Sequence, residues 1–281
     1  MGVKLRIIGL TIVCMVSFIA IYAKERWASY SLVSGLPHVL ISPRAERLGA
    51  TWCNGQVWDQ PLIQYTYEML CKAREDFVAI DVGAQTGCFT LLAKYFPKSK
   101  WYAFEPIEEA ANLLRSHLCI NQVNNAVVAN IALSDKAGKG ELKLPLEDHW
   151  GLTTLGANPQ RYKNYVIREV NCIDLDSFVI SNNIEKVDFI KIDTEGFEFF
   201  ILKGAENTLL KDKPIILMEC NLFNMTQCGI TPEMVYGFLR KIEYIWKEIS
   251  PEDILCLPNT HNSSDLLKDL CKISFIEAFE K

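Results

Sequence analysis

The sequence predicts an α/β fold: a mostly parallel sheet with helices on both faces. Short apolar runs of strand length alternate with segments of helical periodicity, and most of these runs close on a carboxylate or a glycine turn. The composition supports a sizeable core. The 281 residues are 49% hydrophobic and 22% charged, which excludes a disordered or low-complexity chain. A formal net charge of −5 gives no electrostatic reason to expect a nucleic-acid groove. The 10 Cys show no zinc-ligand spacing and read as small hydrophobes.

Residues 7–23 are apolar apart from Thr11 and Ser17, with Lys4 and Arg6 before them and Lys24, Glu25 and Arg26 after. At ~1.5 Å per residue this run is just long enough for a thin bilayer. It reads as an N-terminal transmembrane anchor in preference to a cleaved signal, because Ile21 occupies a position where a signal peptidase prefers a small residue. The flanking charges tip slightly toward an inside N-terminus, so the remaining chain is expected in a lumen (Golgi or endoplasmic reticulum); secreted and cytosol-facing arrangements are the alternatives. The sequons at Asn224 and Asn262 occur at about the rate chance predicts for this pattern and add nothing to that choice.

Residues 24–60, with Trp27, Trp52 and Trp58 among Gly and Pro, read as an irregular lead-in packing on a domain that spans 61–281. Leu62, Tyr65, Met69 and Leu70 share one helical face. Strands are expected over 77–82, 101–104 and 126–133, with helices over 90–96 and 108–118 between them. Residues 138–171 break the rhythm: alternating patterns at 141–144 and 166–170 predict a strand-rich insertion, with a polar loop at 147–160. The rhythm returns with a strand at 187–192, a helix at 197–210, a strand at 214–218, a helix opened by Thr231-Pro232 and final strands at 244–249 and 253–257.

Ligands of such sheets bind beyond the carboxyl ends of the strands. Asp81, Glu105, Asp193 and Glu219 all fall there, and four acids at one rim each cost desolvation energy without a partner. The first turn, Asp81-Val82-Gly83-Ala84-Gln85-Thr86-Gly87, lacks the Lys-Ser/Thr of a phosphate loop and the third glycine of a dinucleotide fingerprint. Its glycines admit close backbone approach, Asp81 can receive a cation, and Glu105 is placed to bind a ribose diol. A nucleoside carrying an ammonium group and no phosphate fits that set: S-adenosylmethionine.

With these residues in hand, the chain from about 76 to 258 resembles the FkbM family of S-adenosylmethionine-dependent methyltransferases. The stretches that carry the resemblance are Ile80 to Gly87, Phe104-Glu105-Pro106, Asn130 to Asp135 and, most specifically, Asp193-Thr194-Glu195-Gly196-Phe197-Glu198 after a strand. Family members usually carry Asn where this chain has Gln85. The resemblance implies a class I Rossmann-like fold with a seven-stranded sheet, and methylation of a hydroxyl on a glycan or other small alcohol. It also implies cofactor contacts at Asp81, Gly83, Gln85, Gly87, Glu105, Pro106, Ile131 and Ala132.

A hydroxyl acceptor must lose a proton, and Asp193, Glu195 and Glu219 are the candidate bases. Three acids at one rim can also hold a divalent metal, though the methyltransferase reading assigns none. Glu198 divides between a site role and complementing a helix dipole. His149 is a minor candidate, in a loop placed to lid the acceptor, and the Trp and Tyr residues read as core. An inactive methyltransferase-fold binding protein is the alternative of a different class; a nicotinamide oxidoreductase is disfavoured by the missing glycine.

Overall fold

The structure, a computed structural model of the 281-residue chain, describes residues 27–48, 52–53, 56–57, 59–146, 150–156 and 164–260. The run at 7–23 and His149 lie outside the described residues. Among the described residues no helix is long and apolar enough to cross a membrane.

The central sheet has seven strands: β1 (Val78–Val82), β2 (Lys100–Phe104), β3 (Ala126–Ala129), β4 (Phe189–Ile192), β5 (Ile215–Glu219), β6 (Tyr244–Glu248) and β7 (Asp253–Pro258). Their order is β6-β7-β5-β4-β1-β2-β3. β1 to β5 are parallel, and β7 runs antiparallel to both of its neighbours. Side chains alternate across the pleat, so each strand feeds two cores. Ala79, Trp101, Phe189 and Leu217 face one; Ile80, Tyr102, Ile190 and Ile216 face the other.

Helices α1 (Gln60–Leu70) and α2 (Glu108–Ile120) pack on the first core, together with a 3-10 turn at Thr90–Tyr95. The second is covered by α3 (Leu175–Ser181), α4 (Glu198–Lys203), α5 (Glu206–Asp212), α6 (Leu222–Gln227) and α7 (Pro232–Lys241). Side-chain caps start three of these: Asp174 for α3, Asn221 for α6 and Thr231 for α7 accept from backbone N–H groups in the first turn.

Several elements differ from the sequence expectation. The 90–96 segment is a 3-10 helix, Thr90–Tyr95, and it stops before Pro97, which disfavours a helical Phe96. The 126–133 strand splits at Asn130, whose amide donates to the carbonyls of Glu105 and Pro106; Ala132–Leu133 then joins the insertion by pairing with Tyr165–Ile173, whose other edge carries Gly138–Pro145. The 197–210 helix breaks at Gly204. A Cβ there would lie 2.0 Å from the Ser134 carbonyl oxygen, so the chain passes too close for any side chain. The lead-in carries an antiparallel pair, Ala28–Tyr30 with Val39–Ile41, that buries Tyr30, Val39 and Ile41. It is fixed to α2 by Asn121, whose amide exchanges hydrogen bonds with the backbone of Leu40, and by His117, whose Nε2 accepts from the Ser42 N–H. Cys88, Cys172 and Cys256 are buried thiols, as the composition suggests, whereas Cys71 and Cys119 are exposed.

Gly204→Val tests the close approach. The obstructing atoms are backbone, so overpacking of ~1–3 kcal/mol is expected, a melting temperature lower by about 2 °C or more. Thermal unfolding at the wild-type midpoint would show that the two loops can part freely.

Candidate active site

A cavity of about 420 Å³ opens at the carboxyl ends of β1, β2, β4 and β5. One end is made by the turns after β1 and β2. Gly83 is left-handed at φ +75°, and a Cβ there would lie 1.9 Å from the Asp193 carbonyl oxygen; the turns after β1 and β4 therefore interlock around a residue that must be glycine. Glu105 is 4% exposed and held from two sides: its Oε2 accepts the Gln85 N–H at 2.8 Å and its Oε1 the Ile107 N–H at 2.8 Å. Each oxygen keeps a lone pair for a further donor. Burial pushes this carboxyl up to about 7 against the lowering effect of the two N–H groups.

Gly83, Gln85, Glu105, Pro106, Ile131 and Ala132 all line the cavity. Asp81 and Gly87, expected to touch a cofactor, lie beneath it. Gly87 faces Leu114 of α2. Asp81 is 1% exposed; its Oδ2 accepts from Thr90 Oγ1 at 2.6 Å and its Oδ1 stands 4.0 Å from the Lys191 ammonium. The cation beside Asp81 is thus one of the chain's own, and Asp81 is not among the residues that line the cavity.

Lys191 is a site residue the sequence reading passed over. It is buried in β4, 3.1 Å from Asp193 Oδ2, with its ammonium 4.9 Å from the centre of the Phe89 ring. Burial works against its charge, but Asp193 and Asp81 outweigh it and push the ammonium's pKa up. The signal was a lysine inside an otherwise apolar strand that is covered on both faces.

The other end of the cavity is acidic. Asp193, Glu195 and Glu219 place carboxylate oxygens within 4.8 Å of one another. Glu195 adopts a left-handed backbone at φ +55°, uncommon for a residue with a Cβ. The Asn224 amide of α6 bridges two of the acids, donating to Glu195 Oε2 at 2.6 Å and Glu219 Oε1 at 3.2 Å. Glu198 serves the loop instead: its Oε1 accepts from the backbone of Thr194 and Gly196 and from the Thr194 hydroxyl. Asp59, Glu252 and Asp253 complete the rim and were also missed. Asp253 opens an antiparallel strand, so its start, not its end, meets this rim, opposite Glu219. Trp150 and residues 151–155 of the insertion line the remaining wall, and Trp150 is a partly buried residue packed against the small core of the insertion.

A match to the family model described as methyltransferase FkbM domain covers residues 81–245. The chain therefore belongs to the FkbM methyltransferase family, and S-adenosylmethionine is its expected cofactor. A search of curated proteins returned no match. Solved structures that it resembles include the FkbM methyltransferase of Methylobacillus flagellatus KT, at 16% identity and a TM-score of 0.44, covering 70% of this chain and 50% of that one. The chain thus spans half the length of that relative. The precorrin-6y C5,15-methyltransferase of Geobacter metallireducens GS-15 matches at 12% identity and 0.45, over 81% of this chain and 96% of the other. M. jannaschii TYW2, crystallised with AdoMet, matches at 16% and 0.42, over 83% and 84%.

The cavity's donors and acceptors fit that cofactor in kind: a glycine turn against which no side chain intrudes, and a braced carboxylate with lone pairs for two hydroxyls. The carboxylates also set a pH dependence. Burial raises Asp59 and Glu105 to about 7 in the folded protein, Glu198 to about 7 and Asp253 to about 6. A carboxyl raised on folding contributes stability below its unfolded pKa that is lost as pH climbs through its folded value. The ligand-free protein should therefore melt at progressively lower temperature between pH 5 and 7.5. A midpoint rising over that interval in differential scanning fluorimetry would mean these acids are ionised and paired.

Proposed function

We propose that the chain O-methylates a hydroxyl of a glycan or other small alcohol, with S-adenosylmethionine as donor. The observation that carries this reading is one cavity with two chemically different ends: a glycine turn and braced Glu105 at one, and Asp193, Glu195 and Glu219 at the other. When bound, the cofactor supplies an electrophilic methyl group on a sulfonium sulfur. Glu105 accepts from the ribose hydroxyls, while Gln85, Pro106, Ile131 and Ala132 wall that end. Lys191 shares its single positive charge between Asp81 and Asp193, which ties β1 to the turn after β4. The acid trio orients the acceptor hydroxyl and takes its proton, so that most of the acceleration comes from positioning.

Glu105→Ala should weaken S-adenosylhomocysteine binding by at least ~10-fold, since each lost charged hydrogen bond is worth ~1.5–3 kcal/mol. Unchanged affinity in calorimetry would place the nucleoside elsewhere. With labelled S-adenosylmethionine and a panel of glycans, lipids and small alcohols, one acceptor class should become labelled. Asp193→Asn or Glu195→Gln should cut that rate by ~10²-fold or more if the residue changed is the base. Full activity in both variants would move the role to Glu219.

Residues 7–23 are part of the same reading: an anchor holding the domain at a membrane, facing a lumen. A glycan acceptor of the secretory pathway supports that side, although the cofactor, made in the cytosol, must then be imported. In intact vesicles the domain should resist protease until detergent is added; digestion while a lumenal marker survives would put it on the cytosolic side.

A further inference from the structure

The acidic end of the cavity holds more negative charge than its described partners offset. Glu105 apart, the described lining residues include six acids, Asp59, Asp193, Glu195, Glu219, Glu252 and Asp253, and one ammonium, Lys191. That ammonium is committed to Asp193 Oδ2 and Asp81. Glu195 and Glu219 share a neutral amide, Asn224, which orients them and cancels no charge.

Two buried oxygens carry the argument further. Glu219 is 8% exposed, and its Oε2 has no hydrogen-bond partner among the described residues. Glu198, outside the trio and 2% exposed, likewise leaves its Oε2 without one, and its charge bears on Glu219. A buried carboxylate oxygen without a donor is costly, and two of them beside a third and fourth acid call for a positive partner.

We propose that Asp193, Glu195 and Glu219 bind a hard divalent cation of the Mg²⁺, Mn²⁺ or Ca²⁺ type. Three carboxylate oxygens within 4.8 Å of one another span the coordination sphere of such an ion, whose oxygen ligands stand ~2.0–2.6 Å from the metal. The ligand set contains no thiolate or imidazole, which selects against zinc and copper. Asn224 bridges two of the ligands, and all three acids line the cavity, from which water or an acceptor oxygen can complete the coordination. Placing an acceptor hydroxyl on the cation, with its proton passing to a carboxylate oxygen of the trio that the ion leaves free, is the role that follows from the methyl-transfer reading, and it rests on that reading. Cation binding itself does not.

The test uses the full-length protein with Mn²⁺ as probe, read by electron paramagnetic resonance, and S-adenosylhomocysteine binding measured on the same sample. One Mn²⁺ should bind per chain, be displaced by Mg²⁺ or Ca²⁺, and bind at least ~10-fold more weakly to Glu219→Gln and Asp193→Asn. Glu141→Gln, at an exposed position in the insertion, should keep wild-type affinity. Thermal unfolding of each variant establishes that it is folded. No stoichiometric Mn²⁺ on a wild-type protein that binds S-adenosylhomocysteine would overturn the cation site and leave the proposed function standing. Equal affinity in the wild type, Glu219→Gln and Asp193→Asn would also overturn it. Tight Mn²⁺ lost in those variants, without nucleoside binding, would support the cation and count against the methyltransferase reading.

Discussion

A single buried ammonium organises this fold. Lys191 sits in the middle of the sheet, register partner of Asp81 on β1, with Asp193 two residues on, just past the end of β4. Slipping β4 by one residue would turn that ammonium to the opposite face and leave Asp81 buried without a counter-charge. Asp81 in turn holds Thr90, and so the 3-10 turn that follows the glycine loop. The carbonyl of Asp193 presses against Gly83. Charge, register and turn geometry thus determine one another at the point where β1 and β4 meet, and the cavity opens above that junction.

Away from that junction, the two ends of the cavity are stabilised by different means. Glu105 is braced by backbone N–H groups from two turns, an arrangement that fixes its direction without a neighbouring cation. At the other end the acids rest on one another, with a side-chain amide between them. The first is a rigid acceptor suited to a ligand of constant shape. The second responds to whatever positive or proton-donating group is brought to it.

Much of this was legible in the sequence, because strands buried on both faces read as uninterrupted apolar runs and the acids closing them stand out. The alternation therefore predicted the parallel core, and Glu105, Asp193 and Glu219 at its rim. What was not legible has physical causes. Asp81 announced an acid but not its partner, since pairing with Lys191 depends on register between strands about 110 residues apart. Glu252 and Asp253 escaped a rule about strand ends because their strand is reversed. Asp59 precedes the parallel rhythm altogether. The break at Gly204 depends on the backbone of Ser134, which no local periodicity encodes. The lead-in looked irregular because its order comes from His117 and Asn121 on a distant helix.

The position of Asn224 has one more consequence. Its side chain is 4% exposed and bonded to Glu195 and Glu219, yet Asn224-Met225-Thr226 spells an acceptor for N-linked glycan. In the folded protein that amide is out of reach. On a nascent chain in a glycosylating compartment it is not, and a sugar attached there would separate the two acids it now bridges. In such a compartment, burial of α6 has to outpace the glycosylation machinery, and chains that lose that race would be made in full and never become competent.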